Sequence, residues 1–279
     1  MNYRIPKRII QTGKDSRQSL PNRAAIANLK LLNPDFEYVF FDDARVENFV
    51  SREFPQYQPL WHSFPYRIQR YDFFRYLVVY RHGGFYFDLD VLLASGLSHL
   101  LDAGCVFPFE CLTLSHHLRA HHKMDWEIGN YAFGAAAGHP FLATVIENCV
   151  QAQADPGWVR PMMRGCPPMF RQEFVILNTT GPGLISRTFA QNPDLAATVT
   201  VLFPEGDVCD LNNWNRFGDV GIHMMDGSWR TPSGFLHRKV AQYWELWKLR
   251  KLMKQSRKLG KTRQHNPKRN PDLLNARSA

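Results

Sequence analysis

Apolar and polar positions along this chain alternate with two periods, and the switches between them mark its elements. Arg4-Ile-Pro-Lys-Arg-Ile-Ile-Gln-Thr-Gly13 reads as a buried strand running into a turn. Asn22 to Leu32 carries a helical pattern that Asn33-Pro34-Asp35 stops. Phe36 to Phe41 is a second strand, and Asp42-Asp43 can cap a helix starting near Ala44. Strand, helix and strand within so short a span predict a parallel βαβ unit. Pro65 then opens a helix that Gly83-Gly84 ends, with Phe73, Phe74, Leu77, Val78 and Tyr80 forming its buried surface. Asp72 and Arg75 are three apart and share one face of it. Later, a helix is expected from Pro140 to Ala154, and another near Leu184 to Gln191 after the turn Thr179-Thr-Gly-Pro-Gly183.

Phe85-Tyr-Phe-Asp-Leu-Asp-Val-Leu-Leu93 is the strongest strand signal. Alternation along one strand sends Asp88 and Asp90 to one face and Phe87, Leu89 and Val91 to the other. Two carboxylates on one face of an apolar strand repel each other and are poorly solvated. A divalent cation removes both penalties, so a metal is the expected reason for the pair.

Composition narrows the classes. Of 279 residues, 44% are hydrophobic and 21% charged, an ordinary globular balance. No apolar run reaches the length of a membrane-spanning helix, and the start lacks the apolar stretch of a secretion signal, so a cytoplasmic location is expected. Five cysteines, widely spaced and without Cys-x-x-Cys, read as buried free thiols. The net charge of +9 is concentrated. Residues 236–279 hold thirteen Lys/Arg against Glu245 and Asp272, a local +11, while the other 235 residues hold 21 Lys/Arg and 23 acids, a local −2. A nucleic-acid enzyme would spread positive charge over its catalytic body, so no nucleic-acid partner is expected.

Four histidines, His116, His117, His121 and His122, have helical spacing without the Glu of a His-Glu-x-x-His site. They read as a polar surface segment, or a loop near a site mouth, rather than a second metal centre. Asn130-Tyr-Ala-Phe-Gly-Ala-Ala-Ala-Gly-His-Pro140 is Gly-rich; it suits close backbone approach to a ligand or a tight packing contact equally.

These blocks, in this order, resemble glycosyltransferase family 32. The resemblance rests on Arg4 to Gly13, Arg70-Tyr-Asp-Phe-Phe-Arg-Tyr76, and Tyr80-Arg-His-Gly-Gly-Phe-Tyr-Phe-Asp-Leu-Asp-Val91. It continues through Asn130 to Pro140, Thr180-Gly-Pro-Gly183 and His223-Met-Met-Asp-Gly-Ser-Trp229. Asp-x-Asp alone is a common tripeptide; the combined Asp-x-x-Arg-Tyr and Gly-Gly-x-Tyr-x-Asp-x-Asp block is specific. The resemblance implies a GT-A-type, Rossmann-like α/β fold over residues 1–235, followed by a basic amphipathic helix and tail over 236–279. It implies a retaining transferase moving a hexose, mannose or galactose among the candidates, from a UDP- or GDP-sugar to a glycan, lipopolysaccharide or glycolipid acceptor. It implies Mn²⁺ or Mg²⁺ held by Asp88, Asp90 and His223, with Asp88 also meeting the donor. Asp72 and Arg75 would hold the donor sugar and diphosphate. Gln11, Thr12, Gly84, Asn130 and Trp229 complete the expected donor site. Many family members carry His-Gln-Thr-Trp where this chain has Ile10-Gln-Thr-Gly13. His223 and Trp229 also admit purely structural roles, as do Asn130 and His139.

Gln242 to Lys254 is a basic helical candidate bearing Trp244 and Trp247. It suits a membrane interface, giving peripheral attachment to the inner face, and equally suits packing of its aromatics on the catalytic domain. The competing functions are a catalytically silent nucleotide-sugar or carbohydrate-binding protein and a glycoside hydrolase. The hydrolase reading fits poorly, because its carboxyls stand about 5 Å or more apart across the scissile bond and need no metal.

Overall fold

A computed structural model describes residues 3–15, 17–113, 115–166 and 168–224. The expected tail helix, the 236–279 segment and Trp229 lie outside the described residues. Strand β1 (Arg8–Thr12), helix α1 (Leu20–Leu32) and strand β2 (Glu37–Phe41) form the expected parallel unit, with Ile10 opposite Val39. Asp42 caps helix α2 (Asp43–Glu53) by accepting a hydrogen bond from the Arg45 amide at 2.8 Å. Helix α3 (Gln58–Ser63) occupies a stretch without a periodic signal. Helix α4 (Arg67–His82) starts after Tyr66, and Gly83 closes it at φ +65°.

The Asp-x-Asp segment is not one continuous strand, which corrects the period-two reading of Asp88 and Asp90. Strand β3 (Gly84–Phe87) ends before Asp88, and β4 (Val91–Leu93) joins a different sheet. Between them the chain turns. The Asp88 amide donates to the Tyr131 carbonyl at 2.7 Å, and the Val91 amide donates to the Asp88 carbonyl at 3.3 Å. The carboxylates therefore converge through a turn between two sheets.

Strand β5 (Cys105–Leu112) precedes helix α5 (His116–His122), strand β6 (Trp126–Ile128) and strand β7 (Ala132–Ala135). The Gly-rich segment Asn130 to Pro140 thus contains a strand. Gly134 is small because a Cβ there would lie 2.5 Å from the Phe85 ring on the neighbouring strand. Helix α6 (Pro140–Ala154) matches its expected span. Helices α7 (Pro156–Val159), α8 (Arg171–Thr179) and α9 (Pro182–Gln191) follow, then strands β8 (Thr200–Leu202), β9 (Arg216–Phe217) and β10 (Gly221–His223).

The large sheet runs β2-β1-β3-β7-β5-β6, with β8 also paired to β5. β1 is parallel to β2 and β3, and β8 to β5; β7 runs antiparallel to both β3 and β5. β5 pairs with β7 through Cys105 and Val106, and with β6 through Phe109 to Leu112. Gly129-Asn130-Tyr131 is therefore a corner between β6 and β7. Side-chain alternation splits the core into two layers. Ile10, Tyr86, Phe107 and Phe133 pack with the apolar residues of α2, α4 and α6. Ile9, Phe85, Phe87 and Val106 pack instead with Leu29 of α1 and with Val91 and Phe217 of the small sheet β4-β10-β9. Both faces of the sheet are covered, as parallel strands require.

Candidate active site and metal centre

Four elements meet where β3 gives way to the turn. Helix α4 brings Asp72 and Arg75, both 4% exposed, to the carboxyl end of β3. A guanidinium and a carboxylate this deeply buried are tolerated only with close polar partners. Arg75 Nη2 lies 3.0 Å from Asp72 Oδ1 and 3.3 Å from Asp88 Oδ1. Its Nη1 donates to the Asn130 carbonyl at 2.7 Å, and the guanidinium lies over the Tyr86 ring, 4.9 Å from its centroid.

Asp72 receives two further bonds, from Asn130 Nδ2 at 3.1 Å and from Thr180 Oγ1 at 2.9 Å. The Tyr76 hydroxyl accepts from Asn130 Nδ2 at 3.0 Å and donates to the Thr180 carbonyl at 2.6 Å. Tyr76 lies one helical turn beyond Asp72, so α4, the β6–β7 corner and the link between α8 and α9 are tied around one carboxylate. Burial pushes the Asp72 carboxyl up to about 6, against the opposing pull of Arg75 and Thr180. Burial would lower the basicity of Arg75, but Asp88, Tyr86 and Asp72 outweigh it and hold the guanidinium charged.

Asp88 is braced from below. The Tyr86 hydroxyl donates to Asp88 Oδ1 at 2.9 Å and lies 3.0 Å from Thr12 Oγ1. Because Tyr86 gives its proton to the carboxylate, Thr12 is the donor to Tyr86. Gln11 Nε2 donates to the Asp88 carbonyl at 3.2 Å and Gln11 Oε1 accepts from the Tyr38 hydroxyl at 3.0 Å. Gln11 and Thr12 thus belong to the site through Asp88. Gly84 does not: it lies at the other end of β3, at φ +113°, where a Cβ would meet the Arg8 carbonyl at 2.8 Å. Close packing of β3 on β1 accounts for the glycine at this position, which was expected as a donor contact.

The small sheet supplies the distant partner. His223 Nε2 lies 3.2 Å from Asp90 Oδ2, and the Met224 amide donates to the Asp90 carbonyl at 2.9 Å. The imidazole stacks on Tyr131, with centroids 4.3 Å apart and planes at 17°. One ligand atom each from Asp88, Asp90 and His223 all fall within 4.8 Å of one another. Two carboxylates and an imidazole form a donor set that could hold a divalent cation. Burial raises the Asp88 carboxyl in spite of Arg75 and His223. His223 Nδ1 is buried with no hydrogen-bond partner among the described residues.

Sequence reasoning passed over Thr180, Tyr76 and Tyr86 as site residues. Tyr86 lies two before Asp88 and Tyr76 four after Asp72, so either period pointed to them. Tyr131 had no sequence signal, since its stacking on His223 depends on the junction of the two sheets. His139, fully buried, accepts from the Phe141 amide at 3.3 Å and caps α6, a structural role. The four histidines lie on α5, and no metal-ligand cluster beyond Asp88, Asp90 and His223 occurs among the described residues. None of the five cysteines is joined in a disulfide.

Residues 22–106 match a family described as "Glycosyltransferase sugar-binding region containing DXD motif". The chain is 34% identical over 146 residues to inositol phosphoceramide mannosyltransferase 3 of Schizosaccharomyces pombe, covering 52% of this chain and 37% of that one. It is 28% identical over 189 residues to a mannosyl phosphorylinositol ceramide synthase of Saccharomyces cerevisiae, covering 67% and 43%. The chain thus spans less than half the length of these relatives. Among solved structures, the PaToxG glycosyltransferase aligns at 14% identity and a TM-score of 0.46, covering 70% of this chain and 76% of that one. No helix among the described residues is long and apolar enough to cross a membrane.

Proposed function

We take the chain as a glycosyltransferase of the family 32 type, on its Asp-x-Asp sugar-binding region and its mannosyltransferase relatives, and propose that it is a metal-dependent, retaining hexosyltransferase of GT-A type. The observation that carries the proposal is the convergence of Asp88, Asp90 and His223 beside the buried Asp72–Arg75 pair. The donor would be a UDP- or GDP-sugar, mannose being the sugar that the relatives' names suggest. The acceptor would be a glycolipid or glycan.

Breaking the bond from the anomeric carbon leaves a nucleoside diphosphate with growing negative charge. Asp88, Asp90 and His223 would hold a divalent ion, which would supply Lewis-acid stabilisation of that charge. Arg75 adds a fixed positive charge whose planar fork suits phosphate or hydroxyl groups, and its partners hold that fork in place before the donor arrives. Asp72, oriented by Asn130 and Thr180, is placed to accept hydrogen bonds from sugar hydroxyls and fix the sugar for attack. Asp88 joins the two parts, meeting Arg75 on one side and the metal ligands on the other. Gln11, Thr12 and Tyr86 keep it there.

The test is a screen of UDP-Gal, UDP-Glc, UDP-GlcNAc and GDP-Man for Mn²⁺-dependent nucleotide release, with Asp90→Asn as the control. At least one donor is expected to turn over, and the variant to lose at least about 100-fold. Equal release by variant and wild type with every donor overturns the metal assignment. Binding without release by the wild type would favour the silent nucleotide-sugar-binding alternative.

A further inference from the structure

Behind the candidate active site, α9 carries a second buried guanidinium. Arg187 is 7% exposed and makes no salt bridge with any Asp or Glu among the described residues. Its Nη1 donates to the Trp158 carbonyl of α7, and its guanidinium carbon lies 3.7 Å from the centroid of the Trp158 ring. Its Nε is buried with no hydrogen-bond partner among the described residues. A buried cation left this way carries a substantial desolvation penalty. Helix α5, which packs on α9, adds only cationic or neutral groups. The His117 ring centroid is 5.1 Å from those of His121 and His122, and His117 Nε2 is buried without a hydrogen-bond partner.

Both imidazoles are held below their ordinary basicity, first by burial and then by positive charge. His117, at about 4, feels Arg187, His122, His121 and His116; His122 feels His121 and Arg187, with only a backbone bond at Ala190 opposing. Helix α5 itself carries no Asp or Glu. A cluster of guanidinium and imidazoles without an acid is what a tetrahedral oxyanion recognises, because the anion supplies the missing charge and accepts from the orphaned donors.

We infer that Arg187, His117 and His122 form an anion-binding site between α5 and α9 for a phosphate group. The chain connects the two sites. Thr180, in the link between α8 and α9, bonds Asp72, and Arg187 lies on α9 itself, seven residues further along the chain. A phosphate bound there is either a free anion or the phosphate of a larger molecule.

The experiment titrates the full chain, in EDTA and in the Asp90→Asn background, with inorganic phosphate and with glycerol 3-phosphate at constant ionic strength, read by calorimetry. Wild type and Asp90→Asn are expected to bind alike. The double change His117→Gln/His122→Gln, on half-buried positions, is expected to weaken binding at least about tenfold, and Arg187→Gln to abolish it. Proton NMR of the wild-type imidazole Cε1–H signals gives a readout that needs no folded Arg187 variant: the His117 and His122 signals move with phosphate. An ester preference of about tenfold assigns the site to a phosphate carried by a larger molecule; equal binding assigns it to the free anion. No binding, or binding unchanged in the double variant with unmoved imidazole signals, overturns the inference. This outcome is separable from the donor reading, which the Asp90→Asn turnover assay tests alone.

Discussion

Asp72 is the residue in which burial and function conflict most directly. Its carboxyl, at about 6 in the folded protein against an ordinary 3.8, binds a proton more tightly folded than unfolded. The folded state is thus favoured by protonation, and this group's contribution to stability falls as pH rises from about 4 to about 6. Above that range the ionised carboxylate is a standing penalty, which Arg75, Thr180 and Asn130 only partly offset. Asp72→Asn removes the penalty while preserving shape. The metal-free variant is therefore expected to gain melting temperature relative to wild type as pH rises from 4 to 7, with donor turnover lost. Thermal scans across that range check the sign, and a gap that is flat or narrows with pH contradicts the burial argument. Such a trade of stability for a buried charged group is characteristic of active sites.

Among the elements, α4 was the most legible in sequence, and its C-terminus explains why. Gly83 sits at φ +65°, ψ 176°, a region essentially reserved for glycine. A Cβ there would lie 2.7 Å from Pro6 Cδ and 2.8 Å from the Ala137 amide nitrogen, and the latter is backbone that cannot yield. Gly83→Ala is expected to cost about 1–3 kcal/mol and so to lower the melting temperature by about 2–4 °C per kcal/mol. Circular dichroism melts test it; an unchanged melting temperature refutes the strain. Where local chemistry dictated an element, as with the Asp42 cap, Pro140 or Gly83, the sequence was readable. The run Phe85 to Leu93 was not, because its apolar pattern continues unbroken across a turn. That turn is set by partners distant in sequence, the Tyr131 carbonyl and β10. Strand β7 was hidden for a related reason: its small residues reflect the rings of β3 packed over them. The shared helical face of Asp72 and Arg75 was readable from spacing, whereas the convergence of Asp88 and Asp90 comes from a turn that spacing did not predict. Asn130 and His223 were found by resemblance, while Tyr131 and Thr180 depend on tertiary packing alone.

At the scale of the whole molecule, the candidate metal ligands come from two sheets that share no strand. Asp88 follows the large sheet, Asp90 lies in the turn, and His223 belongs to the small sheet, whose strands are only two to three residues long. So small a sheet is marginal on its own, and its hold on the body comes from Val91 and Phe217 in the core and from the contact of His223 with Asp90. An ion bound by all three ligands would close this junction in the folded state alone. By linkage, a hundredfold excess of Mn²⁺ over its Kd adds about 2.7 kcal/mol. The melting temperature of the wild type is therefore expected to rise with Mn²⁺, His223→Gln to require more metal for the same rise, and Asp90→Asn to show almost none. Hydrogen exchange gives the effect a location: amides of Gly221 to His223 should slow on metal addition far more than those of β1, which is already held between two parallel neighbours. An equal rise in Asp90→Asn, or uniform slowing over both sheets, would mean that metal acts elsewhere. The local pattern would instead make the ion a structural clamp as well as the charge at the donor's phosphates, tying retention of the small sheet to readiness of the site.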